Sequence, residues 1–167
     1  MLTINFIRCI IYLDRKEIRG MVNMFRIRAI LYDVARGLKS DPVILEKIIK
    51  RLSKHGYNML ILNLKYRFKF PSNPEIGLPD SLTPEDVKHL DRISKEAGIE
   101  LVPFMNCVGH CSGIGMLEKC RHLTADPSGL NDGIEQLRVS EPDAMNLITD
   151  LYNDICKCIF WESSAFC

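Results

Sequence analysis

The chain has 167 residues, enough for one ordinary domain with a hydrophobic core and too few for two sizeable ones. Apolar side chains make up 47% and charged ones 26%, an ordinary balance for a globular protein. With 22 basic against 21 acidic side chains the formal charge is +1, which gives no electrostatic case for nucleic acid or for an anionic membrane surface and suits a neutral substrate.

Residues 1–25 form a lead segment that belongs to none of the repeating units downstream. Its apolar run, MLTINFIRCIIYL, is broken by Arg8, is followed by Asp14, Arg15, Lys16 and Glu17, and lacks a small-residue cleavage site, so it does not read as a secretion signal. No window approaches the roughly 18 consecutive apolar residues of a membrane helix. The seven cysteines are an odd number, which favours reduced thiols in a cytoplasmic protein over a disulfide framework.

Residues 27–34 (IRAILYDV) are a short apolar run that fits a buried strand. Asp41 and Pro42 then supply a helix cap and a first-turn proline. Ile44, Leu45, Ile48, Ile49 and Leu52 recur at helical spacing, and Gly56 ends that helix. Residues 57–64 (YNMLILNL) read as a second buried strand, followed by a long loop through Pro71, Pro74, Gly77 and Pro79. Thr83 caps the next helix, with Pro84 at its first position and Glu85 and Asp86 in a first turn whose dipole favours anions. Val87, Leu90 and Ile93 line its inner face, and Gly98 closes it. Residues 99–105 (IELVPFM) are the third strand, and a loop rich in Gly, Cys and His runs to about residue 139. Ser140 is expected to cap a further helix, which places Leu147, Ile148, Leu151 and Ile155 on one face.

Strands apolar along their whole length, alternating with amphipathic helices, imply an α/β fold with a parallel sheet covered by helices. Polar residues cluster just after each strand: Asp33 and Arg36, then Lys65 to Arg67, then Asn106 and His110. That carboxyl edge is where ligands bind, in an open sheet and in a closed barrel alike. No Gly-x-Gly-x-x-Gly follows the first strand, which argues against a dinucleotide fold.

Each candidate has a plain structural reading beside the functional one. Near Asp33 the arginines Arg28 and Arg36 flank the strand: a guanidinium there either offers a fork of donors for vicinal hydroxyls, or Asp33 and Arg36 pair to tie the strand to its loop. Tyr66, Phe68 and Phe70 either wall a sugar ring or pack under the helices. Cys107, His110, Cys111, Cys120 and His122 invite a zinc reading, but the paired Cys-x-x-Cys knuckle is missing, so no metal and no cofactor is assigned.

The combination of RAILYDVAR (Arg28 to Arg36), FPSNPEIG with the helix start at Thr83–Pro84–Glu85, and a strand with Pro103 leading to Gly109–His110 resembles the first part of the catalytic barrel of glycoside hydrolase family 20, the β-N-acetylhexosaminidases. The resemblance covers roughly residues 26–160 and looks closest to hexosaminidase-D-like and bacterial members. It implies a partial (β/α)8 barrel of about three strand–helix units over 26–160, with an irregular tail at 161–167. It also implies a carbohydrate ligand with a terminal N-acetylhexosamine, contacted by Arg28, Asp33, Arg36, Tyr66 and His110.

The family's chemistry is retaining and substrate-assisted: a glutamate protonates the leaving oxygen while an adjacent aspartate orients the acetamido nucleophile. That pair follows the fourth strand. Here the last helix runs into IFWESSAFC, where Glu162 lacks the strand and Asp-Glu context, so no catalytic residue is assigned. Phe104 and Asn106 stand where relatives carry acids, Asn63 to Arg67 depart at the second strand, and Ala29 replaces a glycine. The expectation is an inactive hexosaminidase-like segment, or alternatively a degenerate barrel fragment or a sugar-binding or interaction module. Three strands leave sheet edges and one face uncovered, so self-association or a complementing chain is expected.

Overall fold

A computed structural model describes residues 25–35, 40–106, 108–128 and 136–159. Three strands, β1 (Ala29–Asp33), β2 (Met59–Asn63) and β3 (Glu100–Phe104), form one parallel sheet in the order β1-β2-β3. Helix α1 (Pro42–Lys54) connects β1 to β2, and α2 (Pro84–Glu96) connects β2 to β3. The segment after β3 carries two single-turn helices, α3 (Ser112–Gly115) and α4 (Glu118–Arg121), before α5 (Pro142–Cys156). The sequence pattern read α3 and α4 as loop, because four residues give no periodicity to detect.

The helix ends follow their local chemistry. Asp41 caps α1 by accepting from the Val43 N–H at 2.8 Å, and Pro42 needs no hydrogen-bond acceptor there. Thr83 and Asp86 form a reciprocal capping box on α2. Gly56 (φ 78°) and Gly98 (φ 69°) take the left-handed conformation that ends α1 and α2, where a β-carbon would be strained. The start of α5 differs from expectation: Glu141, not Ser140, is its cap residue, and its side chain makes no capping bond.

One sheet face is buried. Leu60, Leu62 and Leu64 of the central strand and its exit are fully covered, together with Leu45, Ile49 and Leu52 of α1 and Val87, Leu90 and Ile93 of α2. Ile44 lies off that stripe and is exposed. The α5 face predicted to be apolar, Leu147, Ile148, Leu151 and Ile155, joins the same core. The opposite sheet face is different. Register sets Leu31, Ile61 and Val102 in one row and Asp33, Asn63 and Phe104 in the next. Paired residues point to the same side. On this face Leu31 is 54% exposed and Phe104 41%, so its outer strands lack a covering layer among the described residues, while Asn63 of the central strand is 5% exposed. No helix among them is long and apolar enough to cross a membrane.

Candidate functional site

Because all three strands are parallel, their carboxyl ends and the loops that follow share one edge. Asp33 ends β1 there, half-buried, and its Oδ1 accepts from the Ala35 N–H at 2.9 Å, a local turn that fixes the chain as it leaves the strand. Arg36 and Cys107 lie outside the described residues. His110 is exposed in the loop after β3 with φ 55°, and Lys65 directly after β2 has φ 44°. Left-handed backbone is uncommon for residues with a β-carbon, and both instances among the described residues fall in these loops.

Asn63 sits between Asp33 and Phe104 in the last row of the sheet and is only 5% exposed. Among the described residues its Oδ1 has no hydrogen-bond partner, and neither does Oδ1 of Asn106 beyond β3. An acceptor buried with no partner at all costs about 1–3 kcal/mol. The sequence shows Asn106 only as one of the polar residues at this edge and Asn63 only as a departure from the relatives, because an asparagine at a strand end carries no further signal.

Tyr66 follows β2 and is half-buried. Its ring lies against Gly113 of α3, and its hydroxyl is 3.5 Å from the Ala35 carbonyl. Phe68 and Phe70 settle the question left open in the sequence: both are core residues, at most 1% exposed, stacked edge to face with centroids 5.0 Å apart. Arg67 makes two contacts with Asp80 across the same loop, at 2.7 and 2.8 Å. The structure thus brings Asp33, Tyr66 and His110 to one edge.

It does not bring Arg28 there. Arg28 precedes β1 at the amino edge, about 16 Å of strand from the other end. Its Nε donates to the Gly56 carbonyl at 2.5 Å and a terminal nitrogen to the Phe25 carbonyl at 2.7 Å. A guanidinium at the carboxyl end of α1 meets carbonyls with no helical donor and the negative end of the helix dipole, which accounts for it without a ligand.

Among the described residues no three His, Cys, Asp or Glu side chains converge as a metal site. Of the described cysteines, Cys120, Cys156 and Cys158 are free thiols, and Cys111 is buried with its Sγ near the Asn106 and Gly109 carbonyls. Burial pushes the Cys120 and Cys158 thiols, and the Tyr32 phenol, above their ordinary pKa values.

No family model matches the chain, and no curated protein matches it in sequence. Solved structures do. A chitobiase from Flavobacterium johnsoniae superposes with a TM-score of 0.70 at 17% identity, over 81% of this chain and 22% of that one. A glycoside hydrolase family 20 exo-β-N-acetylglucosaminidase from Vibrio harveyi, solved with N-acetylglucosamine, gives 0.69 at 17% identity, over 81% and 26%. The family 20 β-N-acetylhexosaminidase from Streptomyces coelicolor A3(2) gives 0.67 at 19%, over 81% and 31%. The chain therefore has a glycoside-hydrolase-like α/β fold, similar to part of the family 20 hexosaminidases and spanning between 22% and 31% of the length of these three.

Proposed function

We propose that the chain is a partial (β/α)8 barrel of the hexosaminidase type whose carboxyl edge binds a carbohydrate with a terminal N-acetylhexosamine, and that it does not hydrolyse it. The observation that carries this reading is the superposition of 81% of the chain on family 20 hexosaminidases, and the RAILYDVAR and Pro103 to His110 motifs of the sequence support it. Asp33, Tyr66 and His110 are the contacts offered at that edge, with Arg36 just beyond β1. These 167 residues contain no Asp-Glu dipeptide, so in this reading the segment by itself does not supply the acid or the residue that orients the acetamido group. The odd number of cysteines, seven, favours reduced thiols and a cytoplasmic location.

General acid catalysis contributes typically about 10²–10⁴-fold, and orientation of the acetamido nucleophile adds more. The purified chain should therefore release no aryl alcohol from an aryl N-acetyl-β-glucosaminide above the buffer rate. Turnover that disappears in Glu162→Gln would overturn the non-catalytic part of the reading.

A second reading, an interaction module, is favoured by the exposure of Leu31 and Phe104 on an uncovered sheet face. In that reading the chain associates with itself or with a complementing chain.

A further inference from the structure

The two loops that carry Tyr66 and His110 are both tied to α5. Tyr152 donates its hydroxyl proton to the Met105 carbonyl at 2.9 Å, where β3 ends and the His110 loop begins. Asp154 accepts from the Ser72 N–H at 2.8 Å, in the loop that leaves β2 through Tyr66. These contacts span 47 and 82 residues of sequence. Residues two apart on a helix lie on different sides of it, so α5 holds one loop by each flank.

Both anchors sit in protected surroundings: Met105 is 2% exposed and Asp154 is 5% exposed. Lys157 approaches the other oxygen of Asp154 at 3.7 Å, which leaves Oδ2 aimed at the Ser72 amide. The β2 loop is pinned again by Lys119 of α4, which contacts Glu75 and Asn73. Hydrogen bonds inside a protein gain strength from the low local dielectric, and an acceptor that loses its partner there costs more than one in water.

We propose that Tyr152 and Asp154 are positioning residues: α5 is the strut that sets the spacing of the Tyr66 and His110 loops, and so the shape of the carboxyl-edge site. The inference rests on the sugar-binding reading for its functional meaning but not for its structural test. Neither side chain touches the ligand; each acts through the loop it holds.

The test compares the full chain with Tyr152→Phe, Asp154→Asn and Asp154→Ala by amide and imidazole NMR, with and without N-acetylglucosamine. Without sugar, Tyr152→Phe should move the His110 signals, and Asp154→Ala should move those of Tyr66 and Ser72. Asp154→Asn keeps an acceptor oxygen and should restore the wild-type positions. With sugar, Tyr152→Phe and Asp154→Ala should each weaken binding by about five-fold, the worth of one hydrogen bond, and Asp154→Asn should stay within about two-fold. Folded variants whose loop signals do not move would overturn the strut. If the wild type shows no sugar response, the functional reading falls, while the ligand-free signals still decide the strut. If Asp154→Ala does not fold, Tyr152→Phe decides, since it removes a single oxygen and almost no packing volume.

Discussion

The ring of Tyr66 fills the space that a side chain at Gly113 would need: a β-carbon there would stand 2.1 Å from Cδ1 and 2.7 Å from Cε1. Tyr66 belongs to the β2 loop, and Gly113 follows His110 by three residues, so this contact joins two of the carboxyl-edge loops directly. The ring stays half-buried, packed on one side against α3, and its hydroxyl is turned to the Ala35 carbonyl at the β1 exit.

Gly113→Ala should push the ring out of place and cost about 1–3 kcal/mol, the usual range for overpacking. In a Tyr66→Ala background the same substitution should be nearly neutral, because the clashing atoms are gone. Denaturant unfolding of the four chains measures this coupling. Equal costs in both backgrounds would mean that Tyr66 yields without resistance.

Much of this arrangement was legible in the sequence, and the parts that were not share a physical reason. The three strands, α1, α2 and α5 announce themselves through apolar spacing and through Asp41, Pro42, Thr83 and Pro84, which act within a few residues of themselves. Arg28 was legible as part of a motif, but its partner Gly56 is 28 residues away, and nothing local shows that it faces the amino edge. Tyr152 and Asp154 gave no signal for the same reason, since their bonds close loops of 47 and 82 residues. The alternatives for Phe68 and Phe70 were equivalent by composition, and only the closing of the loop through the Phe68–Leu82 bridge decides for the core.

The thiols should separate by reactivity. Cys156 is exposed, whereas Cys120 and Cys158 are buried with raised pKa values, and Cys111 is buried. Among these four, a thiolate-selective reagent at neutral pH should label Cys156 first, and peptide mapping identifies the site. The raised pKa values also fix a pH dependence. The unfolded chain releases these protons near the ordinary thiol value of about 8.5 while the folded chain keeps them. Their contribution is therefore fully present below that pH and declines as pH rises through it toward the higher folded values. Replacing Cys120 and Cys158 by Ala should flatten the alkaline limb of the stability profile.

The uncovered sheet face should make association concentration-dependent. Leu31 and Phe104, each about half exposed, forfeit part of the about 1.5–3 kcal/mol that full burial of such a side chain gives, and β1 and β3 are the outer strands of the described sheet. Sedimentation velocity should show oligomers that decrease in Leu31→Lys, which puts a charge on that face. A monodisperse monomer with concentration-independent unfolding would contradict this.

The central claim is that the carboxyl edge of this sheet is a sugar site, and chemical-shift mapping with N-acetylglucosamine tests it most directly. The account predicts weak, saturable shifts led by His110 and by the amides around Asp33 and Tyr66, with α1 and the amino-edge residue Arg28 unmoved. Shifts centred on α5 or on the amino edge, or none at millimolar sugar, would contradict it.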